Sequence, residues 1–161
     1  MKILVISDTH GHAGRLWDVL NRTGQVDALI HCGDVEGQED EIRDLADCPC
    51  YMVTGNNDWD SVLPDEITAT IDDYRIWITH GHRYGVSLGP EMLRDEAESK
   101  GIDLCFFGHT HRPMVETENN LTLINPGSLT YPRQLGRKPT YVLITIDRDH
   151  GLHFEICELK K

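Results

Sequence analysis

Short apolar runs alternate with charged stretches along the chain, most regularly in its first half. The runs "KILVIS", "DALIHC" and "CYMVTG" are rich in large or β-branched apolar residues, which predicts buried strands. Between the first two runs, Leu16, Trp17 and Leu20 have helical spacing, and the charged stretch "GQEDEIRDLADC" predicts a second helix. The order β-α-β-α-β predicts an α/β fold with a parallel sheet.

The second half is predicted to be largely antiparallel, because turn signals separate its apolar runs. The expected hairpins turn at Asp72-Asp73, at Asn119-Asn120 and at Asp149-His150-Gly151. One helix, "GPEMLRDEAESK" with Pro90 near its first turn, and one buried strand, "IDLCFFGHTH", lie between the first two hairpins. No linker or internal repeat interrupts the pattern, so we expect a single domain over residues 1–161.

Composition and charge narrow the class of protein. The chain has 161 residues, 39% of them apolar, and a formal net charge of −12. A nucleic-acid face would need clustered Lys and Arg, so we expect no stable nucleic-acid binding. No apolar run approaches the roughly 20 residues of a membrane span, and the first is shorter than the roughly 7–15 residues of a secretory signal core. These features predict a cytoplasmic protein that makes no membrane contact.

The cysteines are interpreted as reduced structural thiols. There are five, an odd number, and Cys32, Cys105 and Cys157 lie in strand-like runs. The "CPC" segment, with Cys48 and Cys50, would suggest metal or redox chemistry only if a second pair accompanied it.

Polar side chains follow the apolar runs at the carboxyl ends of five predicted strands. These segments are Asp8-Thr9-His10, Gly33-Asp34, Gly55-Asn56-Asn57-Asp58, His80-Gly81-His82 and Gly108-His109-Thr110-His111. Each is weak alone, but ligands bind at the carboxyl ends of strands in open α/β sheets, so together they predict one shared rim. Burying unpaired Asp and His is costly, and cations remove that cost. Mixed nitrogen and oxygen ligands without thiolate favour Mn²⁺, Fe²⁺, Ni²⁺ or Zn²⁺ over Ca²⁺ or Mg²⁺.

The motifs D-x-H, G-D, G-N-x-D, H-G-H and G-H-T-H, in this order, resemble those of the calcineurin-like metallophosphoesterase superfamily. The short chain and the segments "THGHRYG" and "NPGS" resemble its small prokaryotic phosphodiesterase (YfcE-like) branch. The resemblance extends from Lys2 to about Arg133. It implies a four-layer α/β/β/α sandwich with mixed sheets and an active site at the carboxyl ends of the strands.

The resemblance also implies a dinuclear centre of divalent transition-metal ions, with Mn²⁺ expected first and Ni²⁺, Fe²⁺ or Zn²⁺ as alternatives. One ion is assigned to Asp8, His10 and His111, and the second to Asn56, His80 and His109, with Asp34 bridging the two. All seven positions hold the expected residue type. On a regular strand His109 and His111 would share a face, but Gly108 precedes them and the resemblance sends them to different ions.

The implied reaction is hydrolysis of a phosphodiester by a hydroxide held between the ions, without a covalent enzyme intermediate. Asp34, Asn56 and His80 would contribute to catalysis as metal ligands. His82, beside them, is also expected to be catalytic. His12, Asn57 and Arg133 are expected at the substrate.

Asn57 departs from the pattern of the family's serine/threonine phosphatases. It stands where they have a histidine that protonates the leaving group, and an amide cannot act as an acid. Either His82 or His12 would then supply the proton, or the leaving group of the substrate needs little protonation. This departure favours a small phosphodiester over a phosphoprotein.

Two alternatives remain open from the sequence. The first is a phosphomonoesterase or nucleotidase on the same metal site, with the loop from Trp59 to Pro64 as the expected wall of its cleft. The second is a catalytically silent interaction scaffold, which would have no need to keep seven metal ligands. The oligomeric state is also open, and a homodimer or higher homo-oligomer is compatible with the sequence.

Overall fold

The computed structural model describes residues 1–160, which form ten β-strands and three α-helices in the predicted order. The strands are β1 (Lys2–Ile6), β2 (Ala28–His31), β3 (Cys50–Met52), β4 (Glu66–Ile71), β5 (Tyr74–Thr79), β6 (Leu104–Phe106), β7 (Pro113–Glu118), β8 (Leu121–Pro126), β9 (Thr140–Ile146) and β10 (Leu152–Glu158). The helices are α1 (Gly14–Thr23), α2 (Glu39–Ala46) and α3 (Glu91–Ser99). Within these described residues, no helix has both the length and the apolar character needed to cross a membrane.

The strands form two mixed sheets with the orders β10-β9-β1-β2-β3 and β4-β5-β6-β8-β7. In the first sheet β1, β2 and β3 are parallel, and β9 pairs antiparallel with β1. In the second sheet β5, β6 and β8 are parallel, with β4 and β7 antiparallel at the edges. The three predicted hairpins are confirmed, but the second half is less antiparallel than expected. The reason is that α3 connects β5 to β6, and such a crossover returns the chain in the same direction.

Alternate side chains of the central strands face different apolar layers. In β1, Val5 packs in the core between the two sheets, whereas Leu4 packs with the residues of α1 and α2. In β6, Phe106 faces the same central core, whereas Cys105 packs with Leu93 of α3. The layers are therefore α/β/β/α, which confirms the predicted four-layer sandwich.

The five cysteines are free thiols, as predicted. Burial raises the pKa of the Cys32 and Cys105 thiols. Burial is also the main cause that raises the pKa of Cys50 to about 11, and its Sγ donates to the Cys48 carbonyl at 3.3 Å. Because metal binding and redox exchange use the thiolate, these raised pKa values favour a packing role.

Candidate metal centre

The predicted strand ends meet at one edge of the molecule, where the parallel strands of both sheets end. Within the first sheet, the Asp8 amide donates to the Gly33 carbonyl at 3.0 Å. Within the second, the Gly108 amide donates to the His80 carbonyl at 3.1 Å. The His109 amide donates to Asp8 Oδ2 at 3.1 Å and so joins the two sheets. This contact links residues 101 positions apart in sequence.

Asp8, His10, Asp34 and His111 form a first cluster. One ligand atom of each lies within 4.8 Å of the ligand atoms of the other three. His111 Nε2 is 3.0 Å from Asp8 Oδ1 and 3.2 Å from His10 Nε2. His10 Nε2 is in turn 3.7 Å from Asp34 Oδ2. Three of the four residues are buried, and His10 is half-buried.

Asn56, His80 and His109 form a second cluster beside the first. Asn56 Oδ1 lies 3.0 Å from His80 Nε2 and 3.0 Å from His109 Nδ1. His80 Nε2 is also 3.5 Å from Asp34 Oδ2, the oxygen that approaches His10 in the first cluster. Asp34 therefore lies between the two clusters, and the structure brings together all seven residues that the resemblance assigns to metal.

Two of the candidate ligand imidazoles are oriented by backbone carbonyls. His80 Nδ1 is 2.7 Å from the Cys32 carbonyl, and His111 Nδ1 is 2.7 Å from the Tyr131 carbonyl. A carbonyl oxygen only accepts, so Nδ1 carries the proton and Nε2 of the neutral ring keeps a lone pair. Those lone pairs point into the clusters, the arrangement that is typical of metal-ligating histidine.

The charges and lone pairs at the first cluster fit a bound cation. Asp8 Oδ1 is buried without a hydrogen-bond partner, although His111 Nε2 lies 3.0 Å away, so the pair lacks the alignment of a hydrogen bond. Complete burial opposes ionisation of Asp8, but His111, His80 and Ser7 outweigh it and lower the pKa of this carboxyl. A buried ionised carboxylate beside several imidazoles is an arrangement that a divalent cation stabilises.

Five of the seven residues have left-handed backbone conformations. Their φ values are +54° for Asp8, +46° for His10, +58° for Asp34, +68° for His109 and +56° for His111. For residues other than glycine such conformations cost of the order of 1–3 kcal/mol each and concentrate at functional sites. They also separate the two imidazoles of the G-H-T-H motif: His109 approaches the second cluster and His111 the first.

The two remaining histidines of the predicted site lie on different sides of it. The His82 ring is 5.3 Å from the His80 ring and 6.0 Å from the His109 ring, beside the second cluster. The His12 ring is exposed, and its Nε2 is 3.4 Å from the Tyr131 hydroxyl. Which of these rings protonates a leaving group stays a prediction.

Asn57 and Arg133 make specific contacts with ligand residues. The Asn57 amide N–H donates to Asp34 Oδ1 at 2.9 Å, and its side-chain Nδ2 donates to Asp34 Oδ2 at 2.8 Å. Asn57 therefore orients the Asp34 carboxylate, a role that the sequence did not indicate. The Arg133 amide donates to the His111 carbonyl at 3.0 Å, and its side chain is exposed beside the site.

Two further residues support the loops of the candidate site. Asp58 accepts the amide N–H groups of Asp34 at 2.8 Å and of Gly55 at 2.6 Å, so it joins the loop after β2 to the loop after β3. His31 accepts the Gly33 amide at 3.2 Å. Burial lowers the pKa of His31 to about 4, so this ring is neutral at pH 7.

Sequence reasoning missed Glu36 and gave no role to Asn125. Glu36 Oε1 lies 2.7 Å from His10 Nδ1, but Glu36 belongs to none of the five strand-end motifs. Asn125 Nδ2 donates to the Gly108 carbonyl at 2.9 Å and to Thr110 Oγ1 at 3.1 Å. The "NPGS" segment was the available signal for Asn125.

Comparisons with known proteins agree with this fold. Residues 1–149 match the Calcineurin-like phosphoesterase superfamily domain, and the chain belongs to that superfamily. It is similar to the probable metallophosphoesterase YsnB of Bacillus subtilis, with 36% identity over 92% of this chain and 86% of that protein. It is also similar to phosphodiesterase MJ0936 of Methanocaldococcus jannaschii, with 30% identity over 79% of this chain and 83% of that protein. A crystal structure of a Vps29 mutant from Entamoeba histolytica shares the fold, with a TM-score of 0.78, 24% identity and coverage of 98% and 99%.

The family membership identifies the chain as a hydrolase of the metallophosphoesterase class. The motifs that suggested this class are also the residues that form the two clusters. The likeness to Vps29 concerns the fold alone.

Proposed function

We propose that this protein is a metal-dependent phosphodiesterase with two divalent transition-metal ions, Mn²⁺ being the first expectation. The position of Asp34 is the main support. Its Oδ2 lies 3.7 Å from His10 Nε2 and 3.5 Å from His80 Nε2, so one carboxylate serves both clusters. Asp8, His10 and His111 would hold one ion, and Asn56, His80 and His109 the other.

The chain's residues prepare the site for a phosphate group. When bound, the two ions supply the nucleophile by lowering the pKa of a water molecule and neutralise charge on the phosphate. Asn57 and Asp58 hold Asp34 from its side chain and its backbone, which fixes the shared ligand. His82 on one side and His12 on the other would donate hydrogen bonds to the substrate, and Arg133 would add a cation.

A diester is favoured over a monoester because the residue after Asn56 is an asparagine and not an acid. Asn57 cannot act as an acid, and both its amide groups are occupied by Asp34. A phosphodiester with a good leaving group needs the least proton donation. We include in the proposal that the substrate is a small phosphodiester and that the protein acts in the cytoplasm.

The substrate class is testable with paired aryl substrates. Metal-free protein is supplied with Mn²⁺ or Ni²⁺, and turnover of an aryl phosphodiester is compared with that of the matching monoester. We expect a higher kcat/KM for the diester and loss of turnover on chelation. Equal or faster turnover of the monoester would contradict the proposal in favour of a phosphomonoesterase. Absence of turnover with any metal would favour an interaction scaffold.

A further inference from the structure

Three arginines beside the first cluster have no carboxylate partner among residues 1–160. Arg112, Arg133 and Arg137 form no ion pair there, and all three line the same depression. The chain carries a net charge of −12, so acidic partners are abundant elsewhere on the molecule. Neighbouring guanidinium groups repel each other, which makes this region a local site of positive potential for an anion.

The arginines line two adjoining depressions. The first has a volume of about 500 Å³ and contains Arg112, Arg133 and Thr110, the residue between the two ligand histidines of G-H-T-H. The second, of about 640 Å³, shares Arg112 and Arg133 and adds Arg137. The second depression adjoins the first cluster, because the ring of Tyr131 in its wall is 5.4 Å from the His10 ring.

The other wall of the first depression is apolar. It is formed by Val86, Leu88, Pro90, Phe107 and Met114. Leu88 is 96% exposed, so its side chain lies at the mouth and presents apolar surface to whatever enters. A depression lined by arginine and by apolar side chains suits a ligand that carries both a phosphate and a flat ring.

The main chain at Arg112 and Arg133 is held by hydrogen bonds near the candidate metal ligands. The Arg133 amide donates to the His111 carbonyl at 3.0 Å, and the Tyr131 carbonyl lies 2.7 Å from His111 Nδ1. The Arg112 amide donates to Thr110 Oγ1 at 3.2 Å. These contacts hold the starting points of both side chains, which reduces the ordering that a bound phosphate would require.

We propose that Arg112 and Arg133, with the apolar wall at Leu88, form an arginine subsite for a second phosphate of the substrate and its attached nucleoside. This inference rests on the proposed phosphodiesterase function and narrows it to nucleotide-type diesters with an additional phosphate. Arginine suits this task because its planar guanidinium donates two parallel hydrogen bonds to phosphate oxygens. The predicted lack of stable nucleic-acid binding is retained, because two or three arginines neutralise few phosphates.

The first test measures binding without metal or turnover. Calorimetry with metal-free protein compares adenosine 5′-monophosphate with adenosine for the wild type, Arg112→Gln and Arg133→Gln. We expect the nucleotide to bind more tightly than the nucleoside, and each variant to weaken nucleotide binding about tenfold, the loss of one charge-assisted contact. Unchanged nucleotide affinity in both variants would overturn the subsite.

Arg148→Gln is the matched control for lost positive charge. Arg148 lies in the turn after β9, whose last residues pair with Lys2 at the start of β1, so it is at the end of the sheet opposite the metal centre. This variant should bind the nucleotide like the wild type. An equal loss of affinity in Arg148→Gln would show a general charge effect and contradict a local subsite.

The second test separates the subsite from the proposed function. With Mn²⁺ bound, kcat/KM is measured for the dinucleotides pApA and ApA, which differ in the second phosphate. We expect pApA to be preferred by about tenfold or more, and Arg112→Gln to reduce that ratio towards one. Equal turnover of both would overturn the subsite and leave the phosphodiesterase function intact. If no diester is hydrolysed, the proposed function fails, and the binding test still decides the subsite.

Discussion

In three of the four candidate ligand histidines, the nitrogen that faces the clusters is selected by a contact elsewhere in the chain. In His80 and His111 that contact is a backbone carbonyl, and in His10 it is the Glu36 carboxylate at 2.7 Å. A carboxylate partner makes the imidazole a stronger ligand than a carbonyl does, because its charge increases the basicity of the free nitrogen. His10 is also the least buried member of the first cluster, so its orientation depends strongly on this contact.

Removal of the Glu36 contact should weaken metal binding without changing any ligand. In Glu36→Ala we expect Mn²⁺ affinity to fall by about 10–100-fold, the usual effect of losing such a partner. Glu36→Gln should lose less, because its amide oxygen still accepts from Nδ1. Competition titration with a coloured chelator measures these affinities.

Glu41→Ala provides the matched control, since Glu41 lies in α2 and contacts Gln38 rather than a ligand. Its Mn²⁺ affinity should equal that of the wild type. If Glu36→Ala binds Mn²⁺ as tightly as Glu41→Ala, Glu36 does not orient His10.

At the scale of elements, the ends of strands in different sheets approach closely, and glycine permits the approach. Gly108 follows β6 of the second sheet, and a Cβ there would lie 2.7 Å from Asp8 Oδ2 and in contact with Ser7 Oγ, at the end of β1. Its φ is outside the left-handed region, so the requirement is steric only. The glycine therefore sets how near the G-H-T-H motif comes to the D-x-H motif.

Gly108→Ala should separate these two strand ends. We expect a loss of stability of about 1–3 kcal/mol from overpacking, together with weaker Mn²⁺ binding because Asp8 must move. Urea unfolding and metal titration measure the two effects.

Gly14→Ala is the comparison, because a Cβ at Gly14 meets no atom within 4 Å and this glycine begins α1. That variant should keep its metal affinity and lose no stability. Wild-type metal affinity in Gly108→Ala would show that the close approach is not needed for the site.

At the scale of the whole molecule, the two sheets are also joined at the end opposite the metal centre. His150, in the β9–β10 turn, places Nδ1 2.6 Å from Asp72 Oδ2, in the β4–β5 turn. Asp72, followed by Asp73 and Asp147, raises the pKa of His150 above its ordinary value of 6.5. The exposed pair connects hairpins that belong to different sheets.

This pair makes a contribution to stability that depends on pH. Because the pKa of His150 is raised on folding, the contribution is complete below about pH 6.5 and is lost as the pH rises through the raised value. The stability difference between the wild type and Asp72→Asn, measured by urea unfolding, should therefore be largest near pH 6 and should shrink at higher pH. Asp73→Asn should show a smaller difference, because its carboxylate is 3.5 Å from His150 Nδ1. A difference that grows with pH would contradict this account.

The sequence indicated most of the fold and the chemistry of the site. The order of strands and helices was predictable because the apolar periodicity that defines each element is local. The assignment of β9 to the first sheet was not predictable, since its pairing with β1 joins segments more than a hundred residues apart. At the site, the types of ligand were readable from motifs at strand ends, whereas Glu36 had no local signal and the role of Asn57 followed only from its contacts with Asp34.

The sequence by itself determined which residues could bind metal and where along the chain each strand ends, because both depend on side-chain chemistry and short-range periodicity. The tertiary structure decided how those residues are used. It placed Asp34 between two clusters, selected the imidazole nitrogens through distant carbonyls, and gathered three arginines of an acidic chain beside the metal centre. The reason is that these arrangements depend on how two sheets pack, and packing joins residues that no local pattern relates.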